Sequence, residues 1–156
     1  MIRRAENKDI ERILELLVQV NMVHHNGRPD LFNGPATKYT AEELMKIFED
    51  DSTPVFVYED ENHKVQGHAF CIMKQALNDN ILTDIKTLYI DDICVDENAR
   101  GHHIGKSLYD YVTDYARKAG CYNVTLNVWT SNESAMKFYE SLGMAKQKIG
   151  MEQILN

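Results

Sequence analysis

The spacing of apolar positions changes several times along the chain, and each change marks a predicted element. Ile2 to Ala5 suits a short first strand. From Asp9, apolar residues recur at Ile10, Ile13, Leu14, Leu17 and Val20, the period of a helix with one buried face. That period fades over 24–38, where Gly27, Pro29, Gly34 and Pro35 gather, so a long irregular connection is expected there. Thr40-Ala-Glu-Glu43 is a capping box: the threonine oxygen accepts from a free backbone N–H and Glu43 reaches back. The helix it opens carries Leu44, Ile47 and Phe48 and stops near Asp51. Pro54 to Tyr58 and Val65 to Met73 are β-rich runs around the turn Asp60-Glu61-Asn62-His63, a predicted hairpin. Thr87 to Val95 reads as another strand, interrupted by Asp91-Asp92. Ile104, Leu108, Tyr111, Val112, Tyr115 and Ala119 form a helical stripe that Gly120 stops. Asn123 to Trp129 returns to strand character. Thr130-Ser131-Asn132-Glu133 is a second capping box, whose helix carries Ala135, Phe138, Tyr139 and Leu142. Met144 to Leu155 is expected to close as a hairpin around Gly150.

The order is therefore β-α-α-β-β-β-α-β-α-β, with room for one more strand, in a single mixed α/β (α+β) domain over 1–156. Three consecutive strands disfavour a pure βαβ repeat, and 87–129 is the one parallel βαβ unit, with a right-handed crossover. A chain of 156 residues, 44% hydrophobic and 26% charged, is sufficient for one hydrophobic core and excludes disorder over most of its length. With 17 Lys and Arg against 24 Asp and Glu, the net charge of −7 excludes a broad duplex nucleic-acid binder and suits a cationic small substrate. The first residues, Met-Ile-Arg-Arg-Ala-Glu-Asn-Lys-Asp, place charges where a signal peptide is apolar. No run approaches the ~18 apolar residues needed to cross a bilayer, so a cytoplasmic protein without a membrane partner is expected. Cys71, Cys94 and Cys121 are widely spaced and odd in number, and are read as reduced thiols.

The most informative segment runs Ile93-Cys94-Val95-Asp96-Glu97-Asn98-Ala99-Arg100-Gly101-His102-His103-Ile104-Gly105-Lys106. A strand ends, and a tight loop with two glycines enters a helix. The first helical N–H groups have no partner within the helix and point into that loop with the positive end of the helix dipole behind them. This is an anion site suited to a pyrophosphate, with Arg100 and Lys106 able to add charge; an ordinary strand-to-helix turn is the alternative. Gly101-x-x-x-Gly105-Lys106-Ser107 has three residues between its glycines where a nucleotide P-loop needs four, which argues against an ATPase or GTPase. His24-His25 and His102-His103 lack the spacing of metal ligands, so no metal is expected.

Arg100-Gly101-His102-His103-Ile104-Gly105 resembles the Arg/Gln-x-x-Gly-x-Gly/Ala signature of the GNAT superfamily of acyl-CoA-dependent N-acyltransferases, with His103 standing where the pattern prefers glycine. A non-glycine residue there still donates its N–H if its φ is negative. Asn132-x-x-Ala135-x-x-Phe138-Tyr139-x-x-x-Gly143-Met144 is similar to the family's Asn-x-x-Ala-x-x-Phe-Tyr-x-x-x-Gly-Phe element, and Tyr89-Ile90-Asp91-Asp92-Ile93-Cys94-Val95 to the acidic-pair strand of members that act on polyamines and other small amines. The motifs cover about 90–144.

The resemblance implies a centrally splayed mixed sheet and acetyl transfer from acetyl-CoA, as co-substrate, to a primary amine. Loop amides of 101–106 would bind the coenzyme's pyrophosphate. Backbone N–H groups from Ile93 to Val95 would hold the thioester oxygen, provided that the strands 87–95 and 123–129 splay apart. Tyr139 would protonate the leaving thiolate, and Asn132 and Ala135 would lie along the coenzyme. A protonated amine must first lose a proton, and Asp91 or Asp92 would take it. Adjacent strand residues point to opposite faces, so only one of them faces the acceptor, and a bulge would alter which one; motif position favours Asp91, with Asp92 in reserve. Covalent transfer through Cys94 is a rival route. His24, His25 and Arg28, in the connection after the first helix, join Asp91 as candidate substrate contacts. The acceptor is read as polyamine-like or aminoglycoside-like, a protein N-terminus or lysine being the alternative. A coenzyme-binding sensor without turnover is the competing class. Trp129, Tyr122 and the C-terminal tail could build a homodimer edge.

Overall fold

Val55, Phe56 and Val57 are all buried, which places their strand between two layers of helix. The computed structural model describes residues 1–155 and contains β1 (Ile2–Arg4), α1 (Ile10–Gly27), α2 (Ala41–Glu49), β2 (Val55–Glu59), β3 (Val65–Gln75), β4 (Lys86–Val95), α3 (Ile104–Lys118), β5 (Asn123–Leu126) and α4 (Glu133–Ser141), with short 3-10 turns at Asn7–Asp9 and Glu97–Ala99. The strands form one sheet in the order β1-β2-β3-β4-β5. Pairing is antiparallel from β1 to β4 and parallel between β4 and β5, the pair that α3 connects. No described helix is long and apolar enough to cross a membrane.

Alternation along the strands divides the core into two halves. Val55, Val57, Val65, Phe70 and Cys94 face α1 and α2, where they pack on Ile13, Leu16, Leu17 and Leu44. Phe56, Ala69, Cys71, Leu88 and Ile90 face α3 and meet Ile104, Leu108, Val112 and Ala116. Half of the Thr40 capping box forms, the threonine oxygen accepting from the Glu43 N–H at 3.2 Å, while the Glu43 carboxylate accepts from the Thr40 hydroxyl at 3.3 Å rather than from its backbone N–H.

Four boundaries differ from the sequence reading, one of them the strand expected over 123–129, which ends at Leu126. α1 runs on to Gly27, so His24 and His25 lie in its last turn rather than in a loop. The apolar period weakens there, but no breaker precedes Gly27 and Pro29, and the breakers set the end. Asn132, not Thr130, caps α4, its side chain accepting from the Ala135 N–H at 3.2 Å. Residues 144–155 form no strand. The predicted closing hairpin does not form, and Ile149, Met151, Ile154 and Leu155 remain 70–88% exposed.

Gly67 sits where α3 crosses β3. A methyl group there would come within 2.8 Å of the Cys94 carbonyl oxygen and 3.2 Å of both Ile104 Cγ2 and Leu108 Cδ1. Gly67→Ala is therefore expected to cost about 1–3 kcal/mol by overpacking, read as a lower midpoint in urea unfolding; an unchanged midpoint would show that α3 can shift away at no cost.

Candidate active site

Opposite the Phe70/Cys71 step of β3, the register of β4 slips: Phe70 pairs with Asp92 and Cys71 with Ile90, leaving Asp91 as an extra residue. This β-bulge cancels the alternation that would separate two neighbouring side chains. Both carboxylates turn to the α1/α2 side. Asp91 Oδ2 accepts from Lys38 Nζ at 2.6 Å and from the Tyr39 hydroxyl at 3.3 Å, and Tyr39 stacks on Phe70. Asp92 Oδ2 lies 2.7 Å from His68 Nε2. The expectation that only one of the pair faces this side is thereby corrected. Burial pulls the Lys38 ammonium down, but the hydrogen bond and charge of Asp91 outweigh it and leave the pKa raised.

β4 and β5 pair only over Thr87–Ile90 and Asn123–Leu126. Beyond Ile90 the end of β4 has no strand partner on the β5 side, which is the splay that the resemblance implied. The Asp96 N–H donates to the Gln66 carbonyl at 2.8 Å. Antiparallel alternation then points the Cys94 N–H at β3 as well, and those of Ile93 and Val95 toward the open side. The expected trio of donors reduces to two.

The opening is a cleft lined by Val20, His24, Asp91, Asp92, Trp129 and Tyr139 among others, with Asn132 and Ala135 at its α4 wall. The Tyr139 phenol is raised above its ordinary value, first by burial, then by the charges of Asp92 and Tyr109. It stays protonated at neutral pH, the state an acid needs. His24 stacks on Phe32, which meets Trp129 edge-on. Of the other expected acceptor contacts, His25 Nδ1 lies 2.7 Å from the Phe32 carbonyl oxygen, and Arg28 pairs with Asp30 and Glu152. Neither lines the cleft. Cys94 points into the α1 core with its Sγ 3.5 Å from the Leu16 carbonyl, and burial pushes its thiol up to about 12, which removes the thiolate that covalent transfer needs.

The loop into α3 is pinned from α1. Arg12 pairs with Asp96, Gln19 accepts from the Glu97 N–H at 3.1 Å, and Asp96 accepts from the Asn98 N–H at 2.8 Å. Burial pushes the Asp96 carboxyl up, but its bonds to Arg12 and Asn98 prevail and hold it low. Arg100, Gly101, His102 and His103 follow, all exposed. No side chain caps α3, so its first N–H groups are open to an anion, as the residues of a diphosphate site must be. Gly101 has φ 87° and open space around it. Gly105 is the point where Phe138 of α4 closes on α3, a Cβ there meeting its ring at 3.3 Å. Lys106 Nζ is tied to Asp110 at 2.5 Å along the outer face of α3. His103 takes φ 59°, ψ 22°, in the left-handed region, so the negative φ on which donation of its N–H was conditioned is not met.

Sequence reasoning missed His68, Lys38 and Tyr39, and assigned Trp129 to a dimer edge rather than the cleft. One signal was present for His68, an ionisable residue at an inward position of an otherwise apolar strand. Lys38 and Tyr39 carried none, since loop conformation alone brings them to Asp91.

An uncapped strand–loop–helix turn beside a splayed parallel pair is the arrangement that the resemblance implied. The model of the acetyltransferase (GNAT) family matches residues 10–144, and the chain belongs to that family. It is similar to the crystal structure of a mutant BH1408 protein from Bacillus halodurans, at 30% identity and TM-score 0.95, over 100% of this chain and 99% of that one. The crystal structure of glucosamine-6-phosphate N-acetyltransferase from Arabidopsis thaliana matches at 26% identity and TM-score 0.72, covering 100% and 98%. By sequence, that enzyme is 27% identical over 99 residues, 55% of this chain and 64% of its own length. The Trypanosoma brucei enzyme of the same name is 40% identical over 55 residues, 35% of each chain. The matched segments thus span less than two thirds of these curated relatives.

A left-handed non-glycine residue costs about 1–2 kcal/mol, and glycine's extra freedom when unfolded returns part of that. His103→Gly is accordingly expected to stabilise the fold by about 0.5–1 kcal/mol, measured by urea unfolding; destabilisation would show that the imidazole makes contacts that outweigh the strain.

Proposed function

We propose that this protein transfers an acetyl group from acetyl-CoA to a primary amine. One observation carries the reading: Asp92 and Tyr139 line a single cleft at the point where β4 offers free N–H groups, beside the uncapped start of α3. Acetyl-CoA supplies the activated acyl carbon. The amides of 101–106 hold its diphosphate, with Arg100 adjacent, and Asn132 and Ala135 border its path. Asp92 removes the proton from the acceptor ammonium. The N–H groups of Ile93 and Val95 hold the oxygen on which charge develops. Tyr139 gives its proton to the departing sulfur. Asp91, already engaged by Lys38 and Tyr39, is the recognition carboxylate for the acceptor: an incoming ammonium replaces that of Lys38.

The acceptor is a small polyamine-like or aminoglycoside-like amine, supported by two carboxylates on one face and by the net charge of −7. A second reading, an amino sugar phosphate, is favoured by the names of the plant and trypanosome relatives and by the His24–Phe32–Trp129 wall, suited to a sugar face. The free thiols of Cys71, Cys94 and Cys121 suit a cytoplasmic location. A homodimer is supported by the open β5 edge, by a groove of about 360 Å³ along it, and by the exposed apolar tail. Light scattering is expected to give twice the 18.0 kDa chain mass, and half of that after removal of 146–156; a monomeric full chain would contradict the dimer.

Thiol release from acetyl-CoA across spermidine, an aminoglycoside, glucosamine 6-phosphate and a lysine peptide tests the activity. Amine-dependent release is expected with at least one small amine. Coenzyme binding with no release on any of them would instead favour the sensor. With the best acceptor, Tyr139→Phe is expected to lower kcat by about 10²-fold with an unchanged unfolding midpoint; undiminished turnover would remove Tyr139 from the proton path.

A further inference from the structure

Four polar or charged residues among those described are buried: Asp9, Glu59, Asp96 and His68. The first three are paired with arginines, Asp9 and Glu59 with Arg3 and Asp96 with Arg12. His68 has no such partner. Its side chain is fully buried at the centre of β3, its ring meets Phe70 edge-on at 5.0 Å, and its one polar contact is Nε2 to Asp92 Oδ2 at 2.7 Å. Its Nδ1 is buried with no hydrogen-bond partner.

The orphaned nitrogen fixes the tautomer. A proton on Nδ1 would be a buried donor with nothing to receive it, whereas a lone pair there costs less. The proton therefore belongs on Nε2, and His68 is a neutral imidazole donating to an anionic Asp92. An apolar side chain of similar size would fill the position with no unpartnered nitrogen but would leave Asp92 Oδ2 without its donor; what His68 adds is that one N–H. Its effect on Asp92 is specific. One oxygen is engaged, and Oδ1, with no hydrogen bond among the described residues, is left for the cleft. Asp91 differs, because its engaged oxygen is held by a cation and a phenol from the α1–α2 connection.

The geometry points to His68 as the positioning residue of the acceptor-side base: it sets the rotamer of Asp92 so that Oδ1 meets the acceptor ammonium, and it does so through its Nε2–H. This inference rests on the reading of Asp92 as the proton acceptor.

The test compares His68→Leu, which removes the donor, with His68→Gln, whose amide nitrogen can take the place of Nε2, in the full chain with the best amine of the panel. His68→Leu is expected to lose about 10–100-fold in kcat, less than the ~10²–10⁴ a general base supplies, with KM for acetyl-CoA unchanged. His68→Gln should recover most of the loss. Adding Asp92→Asn to His68→Leu should cost no more than Asp92→Asn alone. Full turnover in His68→Leu, or equal losses in both variants accompanied by weaker acetyl-CoA binding, would overturn the proposal. If Asp92→Asn itself keeps full turnover, the reading of Asp92 as base fails instead. A readout independent of turnover is ¹⁵N spectroscopy of the histidine rings in the unliganded protein. His68 is expected to carry its proton on Nε2 and to leave Nδ1 bare, and the Nδ1–H tautomer would contradict it.

Discussion

A single extra residue in β4 organises the rest of the site. In an unbroken strand, one of Asp91 and Asp92 would turn into the core beneath α3, among Leu88, Ile90 and Leu108, with no partner for its charge. The bulge removes that conflict by turning both carboxylates to the α1/α2 side, each onto a donor. It falls at the step where β4 parts from β5. The parting leaves the Ile93 and Val95 N–H groups without a strand to bond. It also opens the cleft that Tyr139 enters from α4. An irregularity that costs the sheet part of its ladder thus places both carboxylates at the cleft and leaves two backbone N–H groups open beside it.

The surrounding structure holds this opening rigid. The bulge lies between the two halves of the core, so α1 and α2 fix it from one side and α3 from the other. Arg12 and Gln19 of α1 tie down the turn at 96–99, which sets the entry of the chain into α3. Phe138 against Gly105 then fixes α4, and with it Tyr139, relative to the start of α3. The 100–106 loop, Asp92 and Tyr139 are therefore coupled through packed elements rather than through flexible loops. The Lys38–Asp91 contact is the exception, because Lys38 comes from the irregular connection 28–40 and its side chain is half exposed.

Much of this was legible in the residues. Every helix and strand in the described fold has its periodic signal. The parallel unit 87–129 was visible from the order of strand, glycine loop and helix, and the Gly101–Gly105 spacing separated it from a nucleotide P-loop. Local pattern could not reveal register. Nothing in Tyr-Ile-Asp-Asp-Ile-Cys-Val states that Asp91 is looped out, because the slip is decided by the pairing of β3 and by the volumes on either side of it. The same holds for His68, whose role depends on which residue lies diagonally across the strand. The tail at 144–155 shows the opposite failure: a β-rich sequence that forms no strand although the β5 edge is open.

The central claim is that the uncapped amides of α3 and the unpaired amides of β4 face one continuous ligand path. Titration of coenzyme A into ¹⁵N-labelled protein reads both sets at once. The account predicts large shifts for the amides of 101–106 and for Ile93 and Val95, with Cys94, turned to β3, moving little. If the 101–106 resonances stay in place under saturating coenzyme, or if Cys94 moves while its two neighbours do not, the path does not run as described.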